Sequence, residues 1–150
     1  MTYNLHPLFV LFPIALLFVY SLIQILPVKS FIPSVNWAVV GRIFLIVGVL
    51  GAFVSLATGE TAEHLTKPNH DLVELHELFA VLTTWLYAFL LVQEIVTFYV
   101  STRLASPVNK IQRVISNKAL VVIVSFIALL TLTVTGVLGG VMVHGTSSDP

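Results

Sequence analysis

The sequence predicts an all-α fold: an integral membrane four-helix up-down bundle that forms a single domain over residues 1–150. Hydrophobic residues make up 57% of the chain and charged residues 9%, whereas an ordinary soluble domain has about 25% charged residues. A chain of this length cannot bury so much apolar surface in a water-soluble core. The net charge of zero argues against nucleic acid as a partner, so the lipid bilayer is the expected environment.

Four apolar segments give the predicted spans, at about residues 8–26, 35–58, 72–100 and 119–143. Each is close to or above the roughly 20 residues that cross the hydrocarbon core as a helix. The third is the longest and is expected to tilt or to project from the bilayer. Loops of 8, 13 and 18 residues join the segments, so successive helices should be antiparallel.

Basic residues are divided unevenly between the two ends of this bundle. Six of the seven lie at one end, which the positive-inside rule makes cytoplasmic. Both termini are then outside (N-out/C-out). This predicts a multi-pass membrane protein whose histidine-rich face lies outside, which in a bacterial inner membrane is the periplasmic face. The six residues are Lys29, Arg42, Arg103, Lys110, Arg113 and Lys118, and the exception is Lys67.

Two charges fall within the cytoplasmic halves of the predicted spans, at matching depths. Arg42 is near the cytoplasmic start of the second span, and Glu94 is near the cytoplasmic end of the third. An unpaired charge at this depth costs on the order of a few kcal/mol. We therefore expect a structural Arg42–Glu94 ion pair. The alternative is a proton path or a quinone contact near the cytoplasmic face.

Polar and small residues recur with helical spacing on three of the spans, and such stripes point into a membrane bundle. On the second span they predict close helix packing, with a cofactor slot as the alternative. Gly140 on the fourth span would give a flat ring room to approach. The stripes are Gly41, Gly48, Gly51, Ser55 and Gly59; His76, Thr83, Tyr87 and Glu94; and Thr133, Gly136, Gly140 and His144.

Four of the five histidines stand where a span meets a loop, all at the same end of the bundle. Neutral imidazole is a common ligand of haem iron, and a four-helix bundle can hold haem between facing helices. The chain has no cysteine, which excludes iron–sulfur clusters and covalently attached haem. The candidate ligands are, in order of preference, His76, His144, His64 and His6, whereas His70 lies in the loop.

These residues predict a haem b-binding electron-transfer protein, with one haem or two, that could be a subunit of a respiratory or photosynthetic complex. If the helices pack in sequence order, the diagonal pairs are His6–His76 and His64–His144, and adjacent pairs stay open. Lys67 could meet a haem propionate. Other membrane or periplasmic redox subunits would be its partners.

Two other functions fit the same residues. Glu60, Glu63 and His64, together with the group around His76, could form a periplasmic-face site for a non-haem metal. Alternatively, the protein is a cofactor-free accessory or assembly subunit of a membrane complex. No nucleophile motif or catalytic triad is present, so a redox carrier or accessory subunit is expected rather than a stand-alone enzyme, and no residue is predicted to be catalytic.

The opening segment HPLFVLFPIAL resembles the start of a bacterial four-helix membrane domain family, domain of unknown function 2231. Members open with a His-Pro-x-x-Val-His-Phe-Pro-Ile-Ala-Leu pattern, and Thr58-Gly59 also fits loosely. Leu11 stands where the pattern has its second histidine. The resemblance implies a four-helix membrane domain, and because some members are fused to Rieske-type domains, it implies electron transfer near the outer face. The matching residues are His6, Pro7, Val10, Phe12, Pro13, Ile14, Ala15 and Leu16.

Overall fold

In the computed structural model the described part of the chain is entirely helical. It comprises residues 6–66, 70–103 and 117–144, with side chains described for 10–59, 70–99 and 117–142. The all-α prediction is thus confirmed. The helices are α1 (His6–Ile25), α2 (Val28–Phe31), α3 (Trp37–Thr66), α4 (His70–Arg103) and α5 (Lys118–His144).

The long helices α1, α3, α4 and α5 pack around one core in the order of the sequence. Helix α1 contacts α3 and α5, and α4 contacts the same two helices. Helices α1 and α4 are therefore diagonal neighbours, as are α3 and α5. The short helix α2 lies in the connection between α1 and α3. This arrangement is the sequence-order packing that the short loops predict.

Apolar and polar residues are distributed as expected for a bundle surrounded by lipid. Large apolar side chains are exposed along every long helix, for example Leu11, Leu50, Trp85 and Ile123 at 57–69% exposure. The interior combines apolar residues with buried hydroxyl and amide groups. Water would disfavour such an exterior, whereas hydrocarbon favours it. The buried polar residues are Ser21, Thr83, Thr84, Gln93, Ser125, Thr131 and Thr135.

Within the described residues, three segments are long and apolar enough to cross a membrane. They are Trp37–Gly59, His70–Tyr99 and Lys118–Met142. In α1 the described apolar segment, Val10–Ile25, is shorter. The structure thus supports a membrane protein with transmembrane helices in α3, α4 and α5. Both α3 and α4 extend beyond the predicted spans into what the sequence presented as a loop.

The glycines of α3 form its contact with α1. A Cβ at position 48 would lie 2.6 Å from Leu17 Cδ2, and one at position 51 would lie 3.0 Å from the Pro13 ring. The absence of a side chain at Gly48 and Gly51 lets the backbone of α3 lie this close to the α1 side chains. Of the two expectations for these glycines, helix packing is the one that the structure supports.

Candidate functional site

The bundle has two chemically different ends. We call the end where α1 and α4 begin and α3 and α5 finish the histidine end, and the opposite one the basic end. Among the residues with described side chains, His70 and His76 lie at the histidine end, and the cations Lys29, Arg42 and Lys118 lie at the basic end. The side chains of Arg103, Lys110, Arg113 and Lys67 lie outside the described residues.

His76 is half-buried at the contact between α4 and α5. Its Nδ1 lies 3.1 Å from the backbone carbonyl oxygen of Thr135. A carbonyl oxygen only accepts hydrogen bonds, so Nδ1 carries the proton and donates it. In the neutral ring, the lone pair is then on Nε2. This bond fixes the ring and selects the tautomer that is able to bind a metal through Nε2.

Gly139 is the small residue that makes room for the His76 ring. A Cβ at position 139 would lie 3.2 Å from Cε1 of His76 and 3.7 Å from its Nδ1. A Cβ at position 140, the predicted glycine, would have nothing within 4 Å. Gly139 lies one turn after Thr135, so the same face of α5 supplies both the hydrogen bond and the space.

The polar stripe predicted on α4 is confirmed, but the one predicted on α5 has the wrong phase. Thr83 and Tyr87 are buried, and His76 and Glu94 are half-buried. On α5, Thr133, Gly136 and Gly140 are exposed, whereas the inward face carries the following residues: Ser125, Ala128, Thr131, Leu132 and Thr135. The exposed Thr133 hydroxyl donates a hydrogen bond to the backbone carbonyl of Leu129 on the same helix. A threonine therefore does not by itself mark the inward face of a helix.

Of the remaining histidines, only His70 has a side chain that the structure describes. His70 is the first residue of α4 rather than a loop residue, and its exposed ring lies 3.4 Å from Glu74 Oε1. The side chains of His6, His64 and His144 lie outside the described residues, as do those of Glu60 and Glu63. The residues with described side chains contain no group of three or more potential metal ligands.

Hydroxyl groups continue from His76 into the middle of the bundle. Thr83 Oγ1 lies 3.4 Å from Thr135 Oγ1, and Thr135 donates to the carbonyl of Thr131. Deeper in the core, Ser21 on α1 and Tyr87 on α4 share a 2.7 Å hydrogen bond. The Tyr20 and Tyr87 rings meet edge to face at 6.3 Å. These bonds satisfy polar groups that would be costly to bury alone.

Arg42 and Glu94 form an ion pair at the basic end. Nε and Nη2 of Arg42 both donate to Oε1 of Glu94, at 3.0 and 2.8 Å. The guanidinium carbon also lies 4.4 Å from the centre of the Phe98 ring, a cation–π contact. The two side chains are 31% and 27% exposed. Because the two charges neutralise each other, both side chains can lie at this depth within the predicted spans.

The sequence did not reveal the role of Thr135 and Gly139 in holding His76. The contact is between side chain and backbone, and any residue at position 135 supplies a carbonyl. A signal was nevertheless present in the i, i+4 spacing of Thr131, Thr135 and Gly139. However, Thr133, Gly136 and Gly140 have an equally regular helical spacing. Only the burial seen in the structure shows which of the two series faces the bundle interior.

An apolar exterior, a hydroxyl-lined core and a tethered histidine at one end define a small helical membrane protein. The chain belongs to the family described as Predicted membrane protein (DUF2231), which matches residues 2–147. The family indicated by the opening segment is thereby confirmed. No curated protein and no solved structure matches the chain.

Proposed function

We propose that this protein binds haem b non-covalently at the histidine end and transfers electrons, with His76 as one of the residues that would hold the haem iron. The observation that carries the proposal is the hydrogen bond from Nδ1 of His76 to the Thr135 carbonyl. Histidines that bind metals generally donate their other ring N–H to a carbonyl or carboxylate. The bound group would supply the redox chemistry, while the chain would orient the imidazole through the Thr135 carbonyl.

His6 is the preferred second ligand, and His64 and His144 are the alternatives. Helices α1 and α4 are diagonal and parallel, and Ser21 bonds to Tyr87 across the core. His6 precedes Ser21 by fifteen residues, and His76 precedes Tyr87 by eleven. At the α-helical rise, their backbones differ in depth by roughly 6 Å, about one turn. Histidines on diagonal helices whose backbones lie at similar depth could together hold one haem iron.

The test is a reduced-minus-oxidised spectrum of protein purified from haem-replete cells. We expect an α-band typical of b haem, lost on His76→Ala and retained on His70→Ala, which removes an exposed imidazole at the same end. A colourless, metal-free protein that copurifies with a membrane complex would instead support an accessory or assembly subunit. Zinc, copper or iron without porphyrin would support a non-haem metal site.

We also propose four transmembrane helices with the histidine end periplasmic and the basic end cytoplasmic, in a bacterial inner membrane. The positive charge at Lys29, Arg42 and Lys118 supports this orientation. Redox partners would then meet the histidine end from the membrane or the periplasm. Because the chain has no cysteine, His70→Cys and Ser30→Cys give single labelling sites at opposite ends. A membrane-impermeant maleimide should label the first in intact spheroplasts and the second only after lysis.

A further inference from the structure

A cavity of about 150 Å³ opens at the basic end between the last turns of α1 and the first turns of α3. It lies at the opposite end from His76, so it is separate from the proposed haem site. Its polar lining consists of Tyr20, Gln24, Lys29, Trp37, Arg42 and Glu94. A cavity with this many hydrogen-bonding groups suits a polar or charged occupant rather than an acyl chain alone.

The charges of this lining favour an anion. Arg42 and Glu94 neutralise each other through their 2.8 Å ion pair. Lys29 adds a second cation, and Glu94 is the one acid among the described lining residues. The lining therefore carries a net positive charge. Nε and Nη2 of Arg42 each donate one hydrogen bond to Oε1 of Glu94. The other N–H groups of the guanidinium are not used in this ion pair and can donate to another acceptor.

The α1–α3 connection, which supplies Lys29 to the cavity, carries exposed apolar side chains. In the α1–α3 connection Leu26 and Ile32 are 48% exposed, and Phe31 is 76% exposed. The indole N–H of Trp37 donates to the Ile32 carbonyl and holds this connection against the start of α3. Lysine and tryptophan beside apolar side chains are typical of the membrane interface, where lipid head groups lie. A free anion would gain nothing from these apolar side chains, whereas a lipid that lies beside them would cover them.

We propose that the cavity binds the phosphate-bearing head group of an anionic phospholipid, which lies at the interface beside Leu26, Phe31 and Ile32. Basic pockets between transmembrane helices are known to hold such head groups. The Lys29 ammonium and the Arg42 guanidinium would contact the phosphate, and Gln24 would contribute further hydrogen bonds. The lipid would fasten the α1–α3 connection to the bilayer. The proposal does not depend on haem binding.

The test is native mass spectrometry of the full chain released from micelles doped with phosphatidylglycerol or phosphatidylcholine. We expect one retained phosphatidylglycerol and no comparable retention of phosphatidylcholine. Lys29→Gln should lower the affinity about fivefold, the effect of one cation near an anionic lipid surface. Lys118→Gln is the matched control, since it removes an exposed lysine at the same end, outside the cavity, and should leave retention unchanged. Ala38→Phe should reduce retention by filling the cavity without altering charge.

Other outcomes would overturn the proposal. Equal losses from Lys29→Gln and Lys118→Gln would indicate general surface charge. Displacement by millimolar inorganic phosphate would indicate a free-anion site, and displacement by a short-chain ubiquinone would indicate a quinone site. Circular dichroism and size-exclusion profiles of each variant, unchanged from those of the parent, ensure that a loss of lipid is not a loss of fold. Unchanged retention in a folded Ala38→Phe variant would place the lipid elsewhere.

Discussion

Gly139 lies directly against the imidazole of His76, with a Cβ at position 139 standing 3.2 Å from Cε1. The ring is held from two directions: Thr135 accepts the hydrogen bond of Nδ1, and Gly139 limits where Cε1 can lie. Adding a methyl group at position 139 therefore tests whether haem binding depends on the position of the His76 ring.

Gly139→Ala should displace the His76 ring, because the new Cβ would lie 3.2 Å from Cε1, closer than most Cβ atoms in proteins lie to a neighbour. Haem affinity should fall about tenfold, the lower range for losing support of a metal-binding histidine. Gly136→Ala is the control, since a Cβ there meets nothing within 4 Å. It should leave haem affinity unchanged and raise helix stability by up to about 1 kcal/mol. Haem titration followed by absorbance measures the first effect, and thermal unfolding measures the second.

His6→Ala should convert the low-spin spectrum of a bis-histidine haem to a high-spin one, because His6 is the proposed second ligand of the iron. A five-coordinate high-spin haem, detected by electron paramagnetic resonance, is the expected product, because His76 would remain bound. His64→Ala and His144→Ala are made in parallel. A low-spin signal that survives His6→Ala but is lost in one of the others would assign the second ligand to that histidine instead.

Arg42→Ala should destabilise the protein by on the order of 2 kcal/mol, because Glu94 would be left without its partner at membrane depth. The double variant Arg42→Met with Glu94→Leu removes both charges and should recover most of that loss. Denaturant unfolding in a fixed detergent measures each free energy of unfolding. If the losses of the single variants Arg42→Met and Glu94→Leu simply added in the double variant, the ion pair would contribute nothing through its pairing.

Tyr87→Phe should cost about 1 kcal/mol, because it leaves the buried Ser21 hydroxyl without its 2.7 Å partner. Adding Ser21→Ala removes the unsatisfied group and should return part of the stability. The unfolding free energies of the two single variants and the double variant give the coupling directly. An absence of coupling would mean that the hydrogen bond contributes nothing beyond the packing of the tyrosine ring.

Gly48→Ala should destabilise the contact between α1 and α3 by about 1–3 kcal/mol, the usual cost of overpacking. The added Cβ would lie 2.6 Å from Leu17 Cδ2 and 2.7 Å from its Cγ, and Leu17 is itself buried. Gly41→Ala is the matched control on the same helix, because a Cβ at 41 meets its nearest atom at an ordinary 3.7 Å. Comparable unfolding temperatures for both variants would contradict the proposed role of close packing.

The sequence predicted the class of the protein and the order of its helices because these depend on local quantities. Apolar runs of span length and short loops are properties of consecutive residues, and they require an up-down helical arrangement in lipid. The matched positions of Arg42 and Glu94 followed from counting along the spans, and the structure contains the ion pair. The same counting identified the inward stripe of α4.

By itself, then, the sequence determined an all-helical membrane protein with histidines gathered at one end. Only the tertiary structure decided which face of α5 points inward, and thereby that Gly139 rather than Gly140 adjoins His76. Small and polar residues occur on both faces of α5, so composition could not distinguish them. The packing of α5 against α1 and α4 fixed its rotation, because burial of Ala128 and Leu132 depends on contacts between residues distant in the chain.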